Sequence, residues 1–181
     1  MRLNHLILLP LLVLAACAPS KPAPVPQPKP QPKQQPVPPT AIDAPKPVRP
    51  TGEWIDWPLA PGTWVYRTDA RGSLALFGPA GANATMTLRC DKSRGRIYLS
   101  VNGSGHSGTF LIRTSSTMKA FEPVQVSNEP PYVAAEIMPR DAILDAIAYS
   151  RGRFAIEVGG LPPLAIPNWN EISRVVEDCR T

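Results

Sequence analysis

Residues 84–101 read ATMTLRCDKSRGRIYLSV, two runs of alternating character joined by five residues of turn chemistry. Met86, Leu88 and Cys90 fall on one side of the first run, with Thr85, Thr87 and Arg89 on the other. In the second run Ile97, Leu99 and Val101 oppose Arg96, Tyr98 and Ser100. Successive side chains point to opposite faces of a pleated strand, so the pattern predicts two half-buried antiparallel strands. The DKSRG between them, residues 91–95, predicts a tight hairpin turn.

The same period extends along the chain. RFAIEV (153–158) sets Phe154, Ile156 and Val158 against Arg153, Ala155 and Glu157, and TWVYRT (63–68) and GTFLIRT (108–114) show a weaker form. FGPAGAN (77–83) and NGSGHSG (102–108) carry the glycine, proline and serine of breaks between strands. Seven to nine short strands are expected, arranged as an antiparallel curled sheet, a sandwich or a partly open barrel.

Two stretches switch to helical period. PRDAILDAIAYSRG (139–152) places Ile143, Leu144, Ile147 and Ala148 along one side, begins after a proline and stops at Gly152. PNWNEISRVVEDC (167–179) places Trp169, Ile172, Val175, Val176 and Cys179 in one stripe. Asn168 and Glu171 have the spacing of a capping box at its start. The expectation for residues 51–181 is therefore a mainly β domain with two helices, the second C-terminal.

Ahead of this domain the composition changes. Residues 1–16, MRLNHLILLPLLVLAA, run from a cationic start to an apolar stretch ending in small residues. The stretch is shorter than the roughly 20 residues of a membrane span and has the layout of a secretory signal peptide. Residues 18–50 hold 13 of the chain's 24 prolines and no aromatic side chain. Proline fixes φ and favours extended geometry in the residue before it, so this is a semi-rigid polyproline spacer. Fully extended, it reaches on the order of 100 Å.

Charge divides along the same boundary. The whole chain carries a formal +5, but residues 51–181 hold 13 basic and 13 acidic side chains. The spacer and Arg2 account for the excess. A domain with no net charge lacks the basic face that nucleic acid requires, and no nucleic-acid partner is expected.

Cysteine usage separates in the same way. Of three cysteines, Cys17 ends the apolar run, while Cys90 lies on the inward side of a predicted strand and Cys179 on the apolar stripe of the last helix. In an oxidising compartment two such inward cysteines pair, which predicts a Cys90–Cys179 disulfide. Leu14-Ala15-Ala16-Cys17 resembles the lipobox of bacterial lipoproteins. The resemblance implies cleavage before Cys17, its diacylation through a thioether, and N-acylation with a fatty acid such as palmitate. Several acyl chains give the stable membrane attachment that one does not. Ala18 in place of an aspartate implies sorting to the periplasmic face of the outer membrane. Residues 17–50 then form a lipidated spacer. PRDAILDAIAYSRGRFAIEVGGLPPLAIP (139–167) and the closing VVEDC are similar to envelope domains of the invasion-associated locus B type, which implies an exported β-rich fold with a disulfide.

No motif assembles a catalytic set. His106, flanked by Ser104 and Ser107, is the one histidine beyond the signal segment, and GHSGT (105–109) lacks the final glycine of a nucleophile elbow. With the domain cysteines paired, the usual nitrogen and sulfur ligands of a zinc site are missing; neither metal nor cofactor is expected. Asn83-Ala84-Thr85 and Asn102-Gly103-Ser104 match the glycosylation pattern but read as turn residues. Two sets of residues suit ligand contact. Trp54, Trp57 and Trp64 have the rings of a sugar-stacking platform, though core packing uses such rings more often. Arg89, Lys92, Arg94 and Arg96 bracket the predicted hairpin turn, and Arg94 and Arg96 suit an anion contact, though charges there also keep edge strands unpaired. The expected function is a membrane-anchored envelope module that binds peptidoglycan or another envelope protein, or serves a structural role. A cell-wall hydrolase using carboxylates such as Asp69 and Glu136 is one alternative. An enzyme inhibitor presenting loop 102–108 is another.

Overall fold

The computed structural model describes residues 50–181, so the signal segment, Cys17 and the spacer before Pro50 lie outside the described residues. A 3-10 turn at Trp54–Asp56 leads into ten strands and two helices. The first five strands are β1 (Thr63–Asp69), β2 (Gly72–Gly78), β3 (Met86–Asp91), β4 (Arg96–Asn102) and β5 (Ser107–Arg113). Next come β6 (Met118–Phe121), β7 (Pro123–Asn128), β8 (Pro131–Ile137) and helix α1 (Ala142–Ala148). Strands β9 (Phe154–Gly159) and β10 (Leu164–Ile166) precede the terminal helix α2 (Asn170–Arg180).

The strands form two antiparallel sheets, one ordered β1-β2-β3-β4-β8-β7 and the other β10-β9-β5-β6. The 84–101 hairpin pairs in the register its alternation demands: Met86 opposite Val101, Leu88 opposite Leu99 and Cys90 opposite Ile97. Gly95 in its turn has φ 60°, a conformation side-chain-bearing residues rarely adopt. The inward side chains of this hairpin join Val133 of β8 and Phe110, Ile112, Phe154 and Ile156 of the second sheet in one continuous core. Helix α2 packs against β2 and β3 and buries Ile172, Val175 and Val176. Each contributes about 2 kcal/mol of transfer free energy before ordering costs. Cys90 and Cys179 are joined, S–S 2.15 Å, which ties the last turn of α2 to β3 as expected.

The elements differ from the sequence expectation in four places. The described residues form ten strands, not seven to nine. β6 and β10 have four and three residues, too few to show a period. The hairpin of β7 and β8 is hidden by Pro123, Pro130 and Pro131, with a cis Glu129–Pro130 bond between its strands. Helix α1 is shorter than 139–152: Asp141 caps it by accepting a hydrogen bond from Ile143 N, and it ends at Ala148. The capping box of α2 is absent. The helix starts at Asn170 with Trp169 as a cap that makes no side-chain bond. Asn168 instead donates from Nδ2 to Ala148 O at 3.1 Å and Ser150 O at 2.5 Å, joining the entry of α2 to the exit of α1.

Candidate functional site: a groove on the outer face of the first sheet

A strand whose outer face meets only water buries alternate residues. β4 buries five in a row, Ile97 to Val101, including Tyr98 and Ser100 on the face turned away from the second sheet. That face curves into an open groove of about 870 Å³. Its floor is the polar half of the alternation: Thr87, Arg89 and Asp91 from β3, Tyr98 and Ser100 from β4, and Tyr132 and Glu136 from β8. Leu76 of β2 forms one wall and residues 124–127 of β7 the other, while Ser93 and Arg94 of the hairpin turn close one end.

Ion pairs set the groove's electrostatics. Asp91 is buried and accepts from Arg71 Nη2 at 2.5 Å, Ser93 Oγ at 2.6 Å and the Arg94 backbone N–H at 3.2 Å. The Ser93 hydroxyl and then the Arg71 guanidinium hold its pKa down at about 2. Arg89 grips Asp69 through two bonds of 3.0 and 2.7 Å, which lowers Asp69 to about 2. Arg96 Nε donates to Glu136 Oε1 at 2.9 Å, and the Tyr98 hydroxyl donates to Glu136 Oε2 at 3.4 Å. Arg94 makes no ion pair among the described residues. Its pKa is raised, first by the neighbouring Tyr98 hydroxyl and then by the Asp91 carboxylate. Four guanidinium groups thus face three carboxylates, and Arg94 is the unmatched cation.

This arrangement suits binding more than bond cleavage. Asp69 on β1 and Glu136 on β8 stand four strands apart, a backbone path of about 19 Å along the sheet, and each is held by a different arginine, Arg89 and Arg96. Paired carboxylates of a glycosidase lie roughly 5 to 9.5 Å apart. Proton donation at neutral pH needs a raised carboxyl pKa, whereas Asp69 and Asp91 are lowered. His106 is half-buried in the crossover from the first sheet to the second, between exposed Ser104 and Ser107, and bonds to neither among the described residues. The described residues contain no cluster of three His, Cys, Asp or Glu side chains able to hold a metal.

The tryptophans lie elsewhere. Trp57 is buried against Ala155 and Ala165 on the outer side of the second sheet, with Trp54 packed beside it. Trp64 is in the main core, its Nε1–H donating to Pro167 O at 2.7 Å. Trp57 and Trp64 are thus buried in separate clusters, the core-packing role that such rings more often have. Of the expected anion contacts, Arg94 lines the groove and Arg96 braces it through Glu136. Sequence reasoning missed Arg71, Tyr98, Ser100, Tyr132 and the β7 wall as a joint surface. Tyr98 and Ser100 were visible as the outward side of a strand, but only the placement of β8 and β7 beside β4 makes that side concave.

No family model, curated protein or solved structure matches the chain.

Proposed function

We propose that the protein is an envelope lipoprotein, anchored through Cys17 to the periplasmic face of the outer membrane, whose β domain binds an envelope component in the groove. The observation that carries the binding reading is the burial of Tyr98 and Ser100 at 8% and 3% exposure on a sheet face over which the described residues place no second layer. A polar floor inside a concavity of about 870 Å³ falls within the usual size of ligand sites. The anchor reading is supported by Leu14-Ala15-Ala16-Cys17 at the end of the apolar run, and the spacer of 18–50 gives the domain reach. The likeness to invasion-associated locus B-type domains agrees with an envelope setting. Peptidoglycan or another envelope protein is the ligand this setting supplies.

Two measurements test the two halves. Palmitate labelling and membrane association are expected in the wild-type chain and absent in Cys17→Ala; retention of both in the variant contradicts the anchor. Pull-down from envelopes with the full chain is expected to retain material that Val126→Glu, a charge placed on the exposed groove wall, releases. Equal retention by both chains contradicts the groove as the binding site.

A further inference from the structure

We propose that the groove takes an acidic glycan, a sugar chain bearing carboxylate groups, with an anion held between Arg94 and Arg71. This rests on the groove being the binding site and adds the class of ligand.

Charge comes first. Arg71 and Arg94 approach Asp91 at the same end of the groove, Arg71 by its guanidinium and Arg94 by its backbone N–H. The Asp91 side chain is 2% exposed, whereas that of Arg71 is 57% exposed, so Arg71 turns its unused donors outward. Arg94 is exposed and has no carboxylate partner among the described residues. An oxyanion meeting both finds the remaining N–H donors of Arg71, whose guanidinium Asp91 holds in place, together with the uncommitted fork of Arg94, the kind of donor set with which arginine binds carboxylates best.

The rest of the lining selects the body of the ligand. A sugar hydroxyl both donates and accepts, and the groove offers matched sets. Ser93, Thr87 and Ser100 supply hydroxyls, while Glu136, with a side chain 44% exposed, keeps acceptor capacity beyond its bond to Arg96. Leu76, Val124 and the exposed Val126 give apolar ground for the C–H face of a ring.

An extended peptide is the competing occupant, and the neighbouring edge disfavours it. Peptides add to a sheet through main-chain bonds to a free edge strand. The edge beside this groove is β7, which opens with Pro123 and breaks register between Gln125 and Ser127. Gln125 Nε2 also donates to Ser127 O at 2.6 Å, using a carbonyl of that strand. Proline and a bulge are the devices that block strand addition.

The test is calorimetric titration of the full chain in detergent at low salt with polygalacturonate oligomers, dextran oligomers and polyglutamate. Polygalacturonate is expected to bind at least about tenfold more tightly than dextran, and polyglutamate more weakly than polygalacturonate. Arg94→Gln is expected to weaken polygalacturonate about fivefold or more while leaving dextran unchanged. Arg151→Gln, an exposed cation outside the groove, is the control and is expected to bind as wild type. An intact disulfide and an unchanged circular dichroism spectrum verify that each variant folds. The proposal is overturned by unchanged polygalacturonate binding in Arg94→Gln, by an equal loss in Arg151→Gln, by tighter binding of polyglutamate, or by no binding of polygalacturonate. If polygalacturonate fails while Val126→Glu still releases envelope material, the acidic glycan is wrong and the binding groove stands.

Discussion

Asp91 Oδ2 lies 2.5 Å from Arg71 Nη2, with the carboxylate sealed beneath the hairpin turn and the guanidinium facing the groove. The same carboxylate takes the Ser93 hydroxyl and the Arg94 backbone N–H, so one buried charge orders the whole end of the site. Asp91→Asn keeps the shape and removes the charge. A loss of about 2 kcal/mol in unfolding free energy is expected, the scale of a hydrogen bond to a charged group, measured by urea denaturation. A loss below about 0.5 kcal/mol would mean that the turn does not depend on this carboxylate.

The direction of the acid response follows from the same group. Asp91 and Asp69 titrate at about 2 in the fold against an ordinary 3.8, so the unfolded chain takes up protons first as pH falls. Their contribution is fully present above about pH 4 and is lost between about pH 4 and pH 2. Urea midpoints recorded from pH 6 downward are expected to hold until about pH 4 and then drop, less steeply in Asp91→Asn. A midpoint that falls between pH 6 and 5 would assign the response to other groups.

The disulfide closes a loop with a sequence separation of 89. Chain-entropy reasoning gives about 4.6 kcal/mol for a loop of this length. The Cys90→Ala, Cys179→Ala double variant is expected to lose about that much, with α2 released before the sheets as judged by hydrogen exchange. Loss of protection first in β4 would contradict the view that the bridge chiefly pins the helix.

Asn168 and Glu171 separate two accounts of how α2 begins. With Asn168 bonding Ala148 and Ser150, Asn168→Ala is expected to cost about 1 to 2 kcal/mol. Glu171→Gln loses only a charge near the helix N-terminus, about 0.5 kcal/mol. Comparable losses from both, with strong coupling in the double variant, would indicate a capping box.

How far the fold was legible depends on which face carried the signal. The 84–101 hairpin, its turn and its inward residues follow from alternation, because one side of each strand meets the core. Cys90 and Cys179 were legible for the same reason, each standing on an inward face. The β7–β8 hairpin was not, since its prolines argue against strands unless an edge position and a bulge accommodate them. The groove was only half legible: Arg94 and Arg96 stood out as charges beside a turn. Arg71 lies 20 residues from Asp91, and Glu136 lies 38 from Tyr98; periodicity carries no information about such pairs. The tryptophans were ambiguous because a cluster of rings in sequence suits a stacking surface as well as the commoner packed segment, and here Trp57 and Trp64 are buried.

We place the meeting of protein and ligand on the outer face of the first sheet. Hydrogen exchange of the full chain, with and without solubilised envelope fragments, tests it most directly. Slower exchange is expected in the hairpin turn at 91–95 and in the β7 wall at 124–127, with no change at loop 102–108. Protection confined to that loop or to the turn at 149–153, or none anywhere, would contradict this placement.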